Sequence, residues 1–312
     1  MLILRALVRF YFHLTNAFIC ALRRQRQKKI KGIWISSIPD NNIFHVWYDA
    51  LLYYSPYYRE VHINEEGIDK ESSVQKWRLF VLKKLYPNIK IIYTQSVSEK
   101  KNPTLWMGFD LTKFIKYSSK NQYSKIVKNI CSKQKGEYVL FNQRAFDDRY
   151  LFDSNTSLPL EEFLKTQQLK FPIKFCAFHE MTVEEQYEAC SRALVFVSAH
   201  GAGCTNLIFT PIECPLIEIN QRTHWYCDPV CDDHFFNKTS INDQCQDKLN
   251  FIKVYHKSDF HNLSYLIGKK YREISPVKYD GVFKSRNPIS KQKIFIDGNF
   301  LVNTIEDCLN VI

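Results

Sequence analysis

The sequence predicts an α/β protein made of two doubly wound halves. Three observations carry that prediction. Short apolar runs of strand character alternate with capped or amphipathic helical segments, and they do so twice over along the chain. A length of 312 residues suits two domains of roughly 100–200 residues each. The third observation is one stretch, Leu194 to Ile219, that holds a complete βαβ unit. An apolar, β-branched run ends in Ser198-Ala199-His200-Gly201-Ala202-Gly203, an apolar segment follows up to Pro211, and Leu216-Ile-Glu218-Ile219 starts a new strand.

Composition sets the outer limits. Hydrophobic residues are 45% and charged residues 24% of the chain, as in an ordinary globular protein. Aromatics at 15% are rich, which mainly implies a large aromatic core and also suits surfaces on which sugars stack. The net charge of +11 is unevenly placed: residues 1–31 hold eight Lys or Arg and no acid, leaving 35 basic against 32 acidic groups in the rest. The body is nearly balanced, so a general nucleic-acid-binding surface is not implied.

Taken in order, residues 1–31 form a basic amphipathic arm. Arg5, Arg9, His13 and Asn16 make one polar stripe on an apolar helix, and two arginines so close together argue against a membrane span. With the basic run Arg23 to Lys31 behind it, the arm fits a helix lying on an anionic membrane surface, the body on the cytoplasmic side. Docking on the protein's own surface is the alternative. The main charge cluster follows the apolar stretch, which disfavours a cleavable leader. Residues 32–134 form the first α/β domain. It has strands at Ile33–Ser36, Glu60–Ile63 and Ile89–Tyr93, and helices from Asp40 or Asn41, over Ser73–Leu85 and over Asn121–Cys131. On the helix after Asp40, His45 and Asp49 are four apart and share a face with Asn42, while Phe44, Trp47 and Leu51 take the other.

The polar Ser132–Gly136 segment reads as the joint, and residues 135–275 form the second α/β domain. Its strands are Tyr138 to Phe141, leading to Arg144, then Ile173–Phe178, the run from Leu194, and Leu216–Ile219. A helix starts after Pro159 with Leu160, Phe163 and Leu164 on its face. Thr182-x-x-Glu185 forms a capping box for the next, and Phe260–Tyr271 is a third. Residues 276–312 close the chain with a strand at Lys293–Asp297 and a helix at Phe300–Leu309. Residues 220–250 read as a long loop. Cys227, Cys231 and Cys245 lie there beside His224 and His234, but C-x3-C with a lone later Cys is not a standard zinc spacing. A disulfide or plain thiols suit it better, and no metal site is assigned. Cys20, Cys131, Cys176, Cys190, Cys204 and Cys308 sit inside apolar runs and read as small core residues.

The chemistry concentrates at His200 to Asn206. Backbone N–H groups at a glycine turn that opens a helix favour an anion such as phosphate. Asn206 stands where the third glycine of G-x-G-x-x-G would be, so an ordinary dinucleotide site is disfavoured. A purely structural turn is the plainer alternative. Glu218 lies at the right distance to read ribose hydroxyls, or is simply an edge carboxylate. Arg144 and Arg149 suit bidentate pairing with phosphate, although Asp147, Asp148 and Asp153 nearby also allow ordinary surface ion pairs.

H-G-A-G-x-x-N-x-x-F-x-P at 200–211, with Glu185-Gln186 upstream and Ile217-Glu218-Ile219 downstream, resembles the signature of glycosyltransferase family 61. The pattern N-x-x-H-x-x-x-D at Asn42, His45 and Asp49, and the paired arginines 144 and 149, are similar to further elements of that family. The resemblance implies a GT-B-like fold, two Rossmann-type domains facing a cleft, and an inverting transfer of a sugar from a nucleotide-sugar donor to a hydroxyl of a glycan or glycoprotein. It further implies His45 as the base with Asp49 orienting it or itself the base, and Arg144, Arg149, His200, Gly201, Ala202, Gly203, Asn206 and Glu218 as donor-binding residues. No cofactor is expected beyond the donor substrate, and the absence of D-x-D from the sequence argues for stabilising the leaving group without a metal.

Rival readings are weaker. H-G-A-G is similar to an esterase oxyanion loop, but no G-x-S-x-G accompanies it. A catalytically inactive membrane-associated module of the same fold is the main alternative, and the retained His45, Asp49, Arg144, Arg149, His200 and Asn206 speak against decay. Nucleic-acid binding would depend on the arm alone. The sequons at Asn155, Asn237 and Asn262 leave the secretory-pathway lumen as the alternative compartment.

Overall fold

The structure is a computed structural model and describes residues 33–36, 43, 59–64, 69–94, 130–143, 150–220, 258–280 and 293–311. Contacts divide the chain into two units, Met1–Asn129 and Ile130–Ile312.

The first unit holds a parallel three-stranded sheet in the order β1-β2-β3, with β1 at Ile33–Ser36, β2 at Glu60–Asn64 and β3 at Lys90–Thr94. Helix α1, Ser73–Leu85, connects β2 to β3. It begins where the Ser72 hydroxyl accepts the Gln75 N–H at 3.3 Å, and Lys83 and Lys84 favour its carbonyl end. Trp77, Val81 and Leu85 recur every four residues and are buried, as are Val61 and Ile63 of β2. The expected helix after Asp40 is described only at residue 43, and the one over 121–131 only from 130, where the chain is already turning.

The second unit is built on a parallel five-stranded sheet in the order β6-β4-β7-β8-β9. Its strands are β4 at Tyr138–Asn142, β6 at Ile173–Cys176, β7 at Ala193–Ala199, β8 at Leu216–Ile219 and β9 at Tyr271–Ile274. Every residue of β4, β7 and β8 is buried, as continuous apolar strands covered on both faces should be. Val139, Phe141, Val195, Val197, Ile217 and Ile219 share a core with helices α2, Leu160–Lys165, and α5, Gly298–Leu309. Helices α3, Val183–Ser191, and α4, Asp259–Ile267, pack instead with a 3-10 segment at Ala202–Phe209. Taking the five strands in chain order, the second lies on one side of the first, and the third, fourth and fifth on the other. The direction of winding therefore reverses between β4 and β7.

Strand β5 at Tyr150–Asp153 leaves this sheet and pairs in parallel with β11, Lys293–Ile296, which also pairs antiparallel with β10, Lys278–Asp280. Asp153 fixes the junction. Its carboxylate accepts the Thr156 N–H at 2.7 Å and the Gly298 N–H at 2.9 Å, so the turn after β5 and the start of α5 share one anchor. Burial pushes that carboxyl up, but its hydrogen bonds from Thr156, Gly298 and Asn155 outweigh burial and hold it below its ordinary range. The closing strand and helix, expected at 293–297 and 300–309, are built into the core of this unit.

Strands β5 and β10 were not expected from the sequence, and three expected elements differ in extent or type. The helix expected over 260–271 stops at Ile267 because Gly268 adopts φ 76°, the left-handed C-cap, and β9 starts three residues later. The strand from Ile173 ends at Cys176, and Phe178–Glu180 turns as a 3-10 segment. The segment that closes at Pro211 is likewise 3-10 rather than α. The capping box is present as read: Thr182 and Glu185 exchange hydrogen bonds at the start of α3. Among the described residues no helix is long and apolar enough to cross a membrane.

Candidate functional site

The winding reversal puts the carboxyl ends of β4 and β7 side by side, and in open α/β sheets ligands bind at such a switch point. What stands there is the glycine turn. The His200 N–H extends the β7 ladder to the Ile219 carbonyl at 2.9 Å, and the chain then breaks away through Gly201 at φ 153°, ψ 178°. That region is open essentially to glycine alone. Gly203 is favoured for a different reason, since a Cβ there would lie 2.8 Å from the Asn142 amide nitrogen and would have to displace that bonded side chain. Gly201, Ala202 and Gly203 are half-buried, while Cys204 to Thr210 are buried. The turn is thus the part that a ligand can reach.

Asn142, which sequence reasoning missed, supports the turn from below. Its amide donates to Ser198 Oγ on β7 at 3.0 Å, and its carbonyl oxygen accepts the Phe178 N–H at 3.3 Å. Asn206 faces inward and is fully buried, its amide donating to Gln186 Oε1 at 2.8 Å. Gln186 in turn donates to the carbonyls of Phe178 and Met181. The Glu185-Gln186 pair and Asn206 of the sequence pattern therefore meet in space: one caps α3, and the other two tie α3 to the 3-10 segment.

Glu218 is fully buried and serves His200. One of its oxygens pairs with His200 Nδ1, and the other accepts the Tyr271 hydroxyl at 2.6 Å. The Ser258 side chain, N-cap of α4, adds a further hydrogen bond. Burial alone would raise the Glu218 carboxyl. The hydrogen bond and charge of His200, with Ser258 and Tyr271, outweigh it and hold the group below its ordinary value, so the carboxylate is ionised. The same surroundings push the Tyr271 phenol well up: burial first, then the charges of Glu218 and Glu273. The His200 ring stands edge-on to Phe260, centroids 5.4 Å apart. With Nδ1 committed to a carboxylate, any chemistry His200 does outside the pair runs through Nε2. Both oxygens of the Glu218 carboxylate thus have partners within the fold, His200 and Tyr271.

The structure thus brings His200, Gly201, Ala202, Gly203, Asn206 and Glu218 together in one neighbourhood. His45, Asp49, Arg144 and Arg149 lie outside the described residues, as does the Cys227–Cys245 segment; Arg144 is the second residue after β4. Asp153, one of the acids offered to the arginines as a surface partner, is buried and bound to its own turn and to α5. Among the described residues no group of three or more His, Cys, Asp or Glu gathers as a metal ion requires. Tyr271 and Ser258 were missed because the helix expected through residue 271 hid the strand on which Tyr271 stands.

Comparison with curated proteins brings no match. The family model described as Glycosyltransferase 61 matches residues 11–217, more than half of the chain, and includes the whole glycine turn and the first two residues of β8, ending just before Glu218. The chain therefore belongs to glycosyltransferase family 61, and that membership indicates glycosyltransferase activity, with a donor and an acceptor as substrates.

Proposed function

We propose that this protein moves a sugar from a nucleotide-sugar donor to a hydroxyl of a glycan or glycoprotein, with inversion and without a metal. The observation that carries the reading is the His200–Glu218 pair, buried beneath a reachable glycine turn at the β4/β7 switch point. The donor diphosphate rests against the backbone N–H groups of residues 201–203, where fixed dipoles meet charge as it develops on the leaving group. His200, held by Glu218, lies at the edge of that cradle, and Arg144 and Arg149 pair with phosphate oxygens.

In the transfer itself, His45 or Asp49 takes the acceptor hydroxyl proton. The oxygen attacks the anomeric carbon from the side opposite the diphosphate, the carbon–oxygen bond to the diphosphate breaks, and the nucleotide leaves with the bonding pair. The reading assumes a GT-B arrangement with His45 and Asp49 on the first domain. The sequence lacks D-x-D, which supports stabilisation by arginines and backbone in place of a metal. The basic arm supports a site of action at an anionic membrane surface on the cytoplasmic face, with the secretory lumen as the other compartment.

A panel of UDP-, GDP- and CMP-sugars, scored for donor hydrolysis and thermal stabilisation of the full chain, tests this. One donor should be hydrolysed, with activity unchanged by EDTA. His200→Ala and Arg144→Ala should each lower kcat/KM by about 100-fold. Stabilisation without turnover would identify a binding module instead, and indifference to every donor would remove the reading altogether.

A further inference from the structure

Gln143 stands at the switch point without an evident job. It is the first residue beyond β4, and its N–H still continues the ladder to the Cys176 carbonyl at 2.8 Å. It lies one step past the Asn142–Ser198 pair, on the strand whose neighbour β7 runs into the glycine turn. The residue is only 6% exposed, yet neither the amide nitrogen nor the amide oxygen has a hydrogen-bond partner among the described residues. The contrast with Asn142 next door, both of whose amide atoms are bonded, is direct. A buried amide with both halves unmet is a cost that the fold itself does not repay. A methionine would fill the same space without it.

We propose that Gln143 reads the donor substrate, its amide forming a paired hydrogen bond to a neutral edge that offers one donor and one acceptor. This rests on the donor reading above and deepens it. A side-chain amide presents an N–H donor and a carbonyl acceptor side by side. A diphosphate accepts only and would leave the Gln143 carbonyl facing lone pairs, so phosphate is the wrong partner. A nucleobase imide or amide edge satisfies both halves at once, and a sugar hydroxyl satisfies both through one oxygen.

The test compares wild type with Gln143→Met in the full chain, by calorimetric titration with UDP, GDP, uridine and UDP-glucose beside thermal melts without ligand. Gln143→Met should melt at the wild-type temperature or above it, because an unmet amide has gone. Its affinity for whichever nucleotide wild type prefers should fall roughly 10-fold or more. An equal loss for UDP and UDP-glucose would assign the contact to the base; a loss confined to UDP-glucose would assign it to the sugar. Wild-type affinity retained in Gln143→Met, whatever its melting temperature, overturns the proposal while leaving the donor reading intact. Failure of wild type to bind any of the nucleotides overturns both. Gln143→Glu, which replaces the donor half with a second acceptor, should bind no better than Gln143→Met.

Discussion

Glu218→Gln should lower stability by about 3 kcal/mol at neutral pH, the scale for breaking a buried ion pair, or roughly 10 °C in Tm for a unit of this size. It should also weaken donor binding. The side chain keeps its shape but loses the charge that holds His200 Nδ1, and its amide half must face the Tyr271 hydroxyl, the His200 ring or Ser258. Tyr271→Phe removes one hydrogen bond from the same carboxylate and should cost about 1 kcal/mol. The pH dependence has a definite sign. The Glu218 carboxyl is held below its ordinary value of 4.5, so its contribution is fully present above that value. It is lost as pH falls through the lower, folded value. Wild type and Glu218→Gln should accordingly differ most at neutral pH and converge in acid. Melts of both proteins between pH 3 and pH 7 settle the matter: equal Tm values at pH 7, or curves that run parallel into acid, would show that the pair does not hold the site.

Lys269→Met should be as damaging, and for reasons far from the turn's own chemistry. The Lys269 ammonium is buried just before β9 and donates to the Thr210 carbonyl at 3.0 Å, the Thr210 hydroxyl at 2.6 Å and the Pro211 carbonyl at 2.5 Å. Burial lowers its pKa, against the opposing pull of Cys131, Cys214 and Cys190 around it. These bonds fasten the end of the 3-10 segment that starts at Ala202. Methionine fills the volume but leaves the buried Thr210 carbonyl without its donor, while the Pro211 carbonyl keeps the Cys214 N–H, a loss of about 3 kcal/mol from charged hydrogen bonds worth roughly 1.5–3 kcal/mol each. Urea denaturation measures it, and donor affinity should fall alongside stability because the cradle's far end comes loose. A variant within about 0.5 kcal/mol of wild type, inside the ordinary range for surface substitutions, would show that water replaces the ammonium without loss.

Much of this architecture was legible in the chain. The extent of helix α1 was readable as Ser73–Leu85, and Thr182-x-x-Glu185 announced the start of α3. The apolar run before His200 could hardly be anything but a covered strand. Where reading failed, a local signal pointed two ways. Gly268 inside an apolar periodic stretch looks like a tolerated helix glycine until its backbone is known to be left-handed, and that one position hid β9 and Tyr271 with it. Glu218 shows the deeper limit. Its distance along the chain from the turn is the same whether the carboxylate faces a ribose or a histidine, and only the fold distinguishes them. The same holds for Asn206, whose partner Gln186 is twenty residues away. Gln143 could not have been noticed at all, because an unmet amide exists only in three dimensions.

Strand β11 and helix α5 carry a consequence for how the protein is made. The unit with the glycine turn begins near residue 130, yet β5 finds its neighbour only at Lys293–Ile296, and the face under α2 is closed only by Leu301, Ile305 and Leu309. Until those residues leave the ribosome, β5 presents a bare hydrogen-bonding edge and the sheet an open hydrocarbon face, both invitations to aggregation. Such distant pairing makes closure slow. A chain ending at Asp280 should therefore accumulate in inclusion bodies or be cleaved rapidly by protease, however intact its H-G-A-G turn.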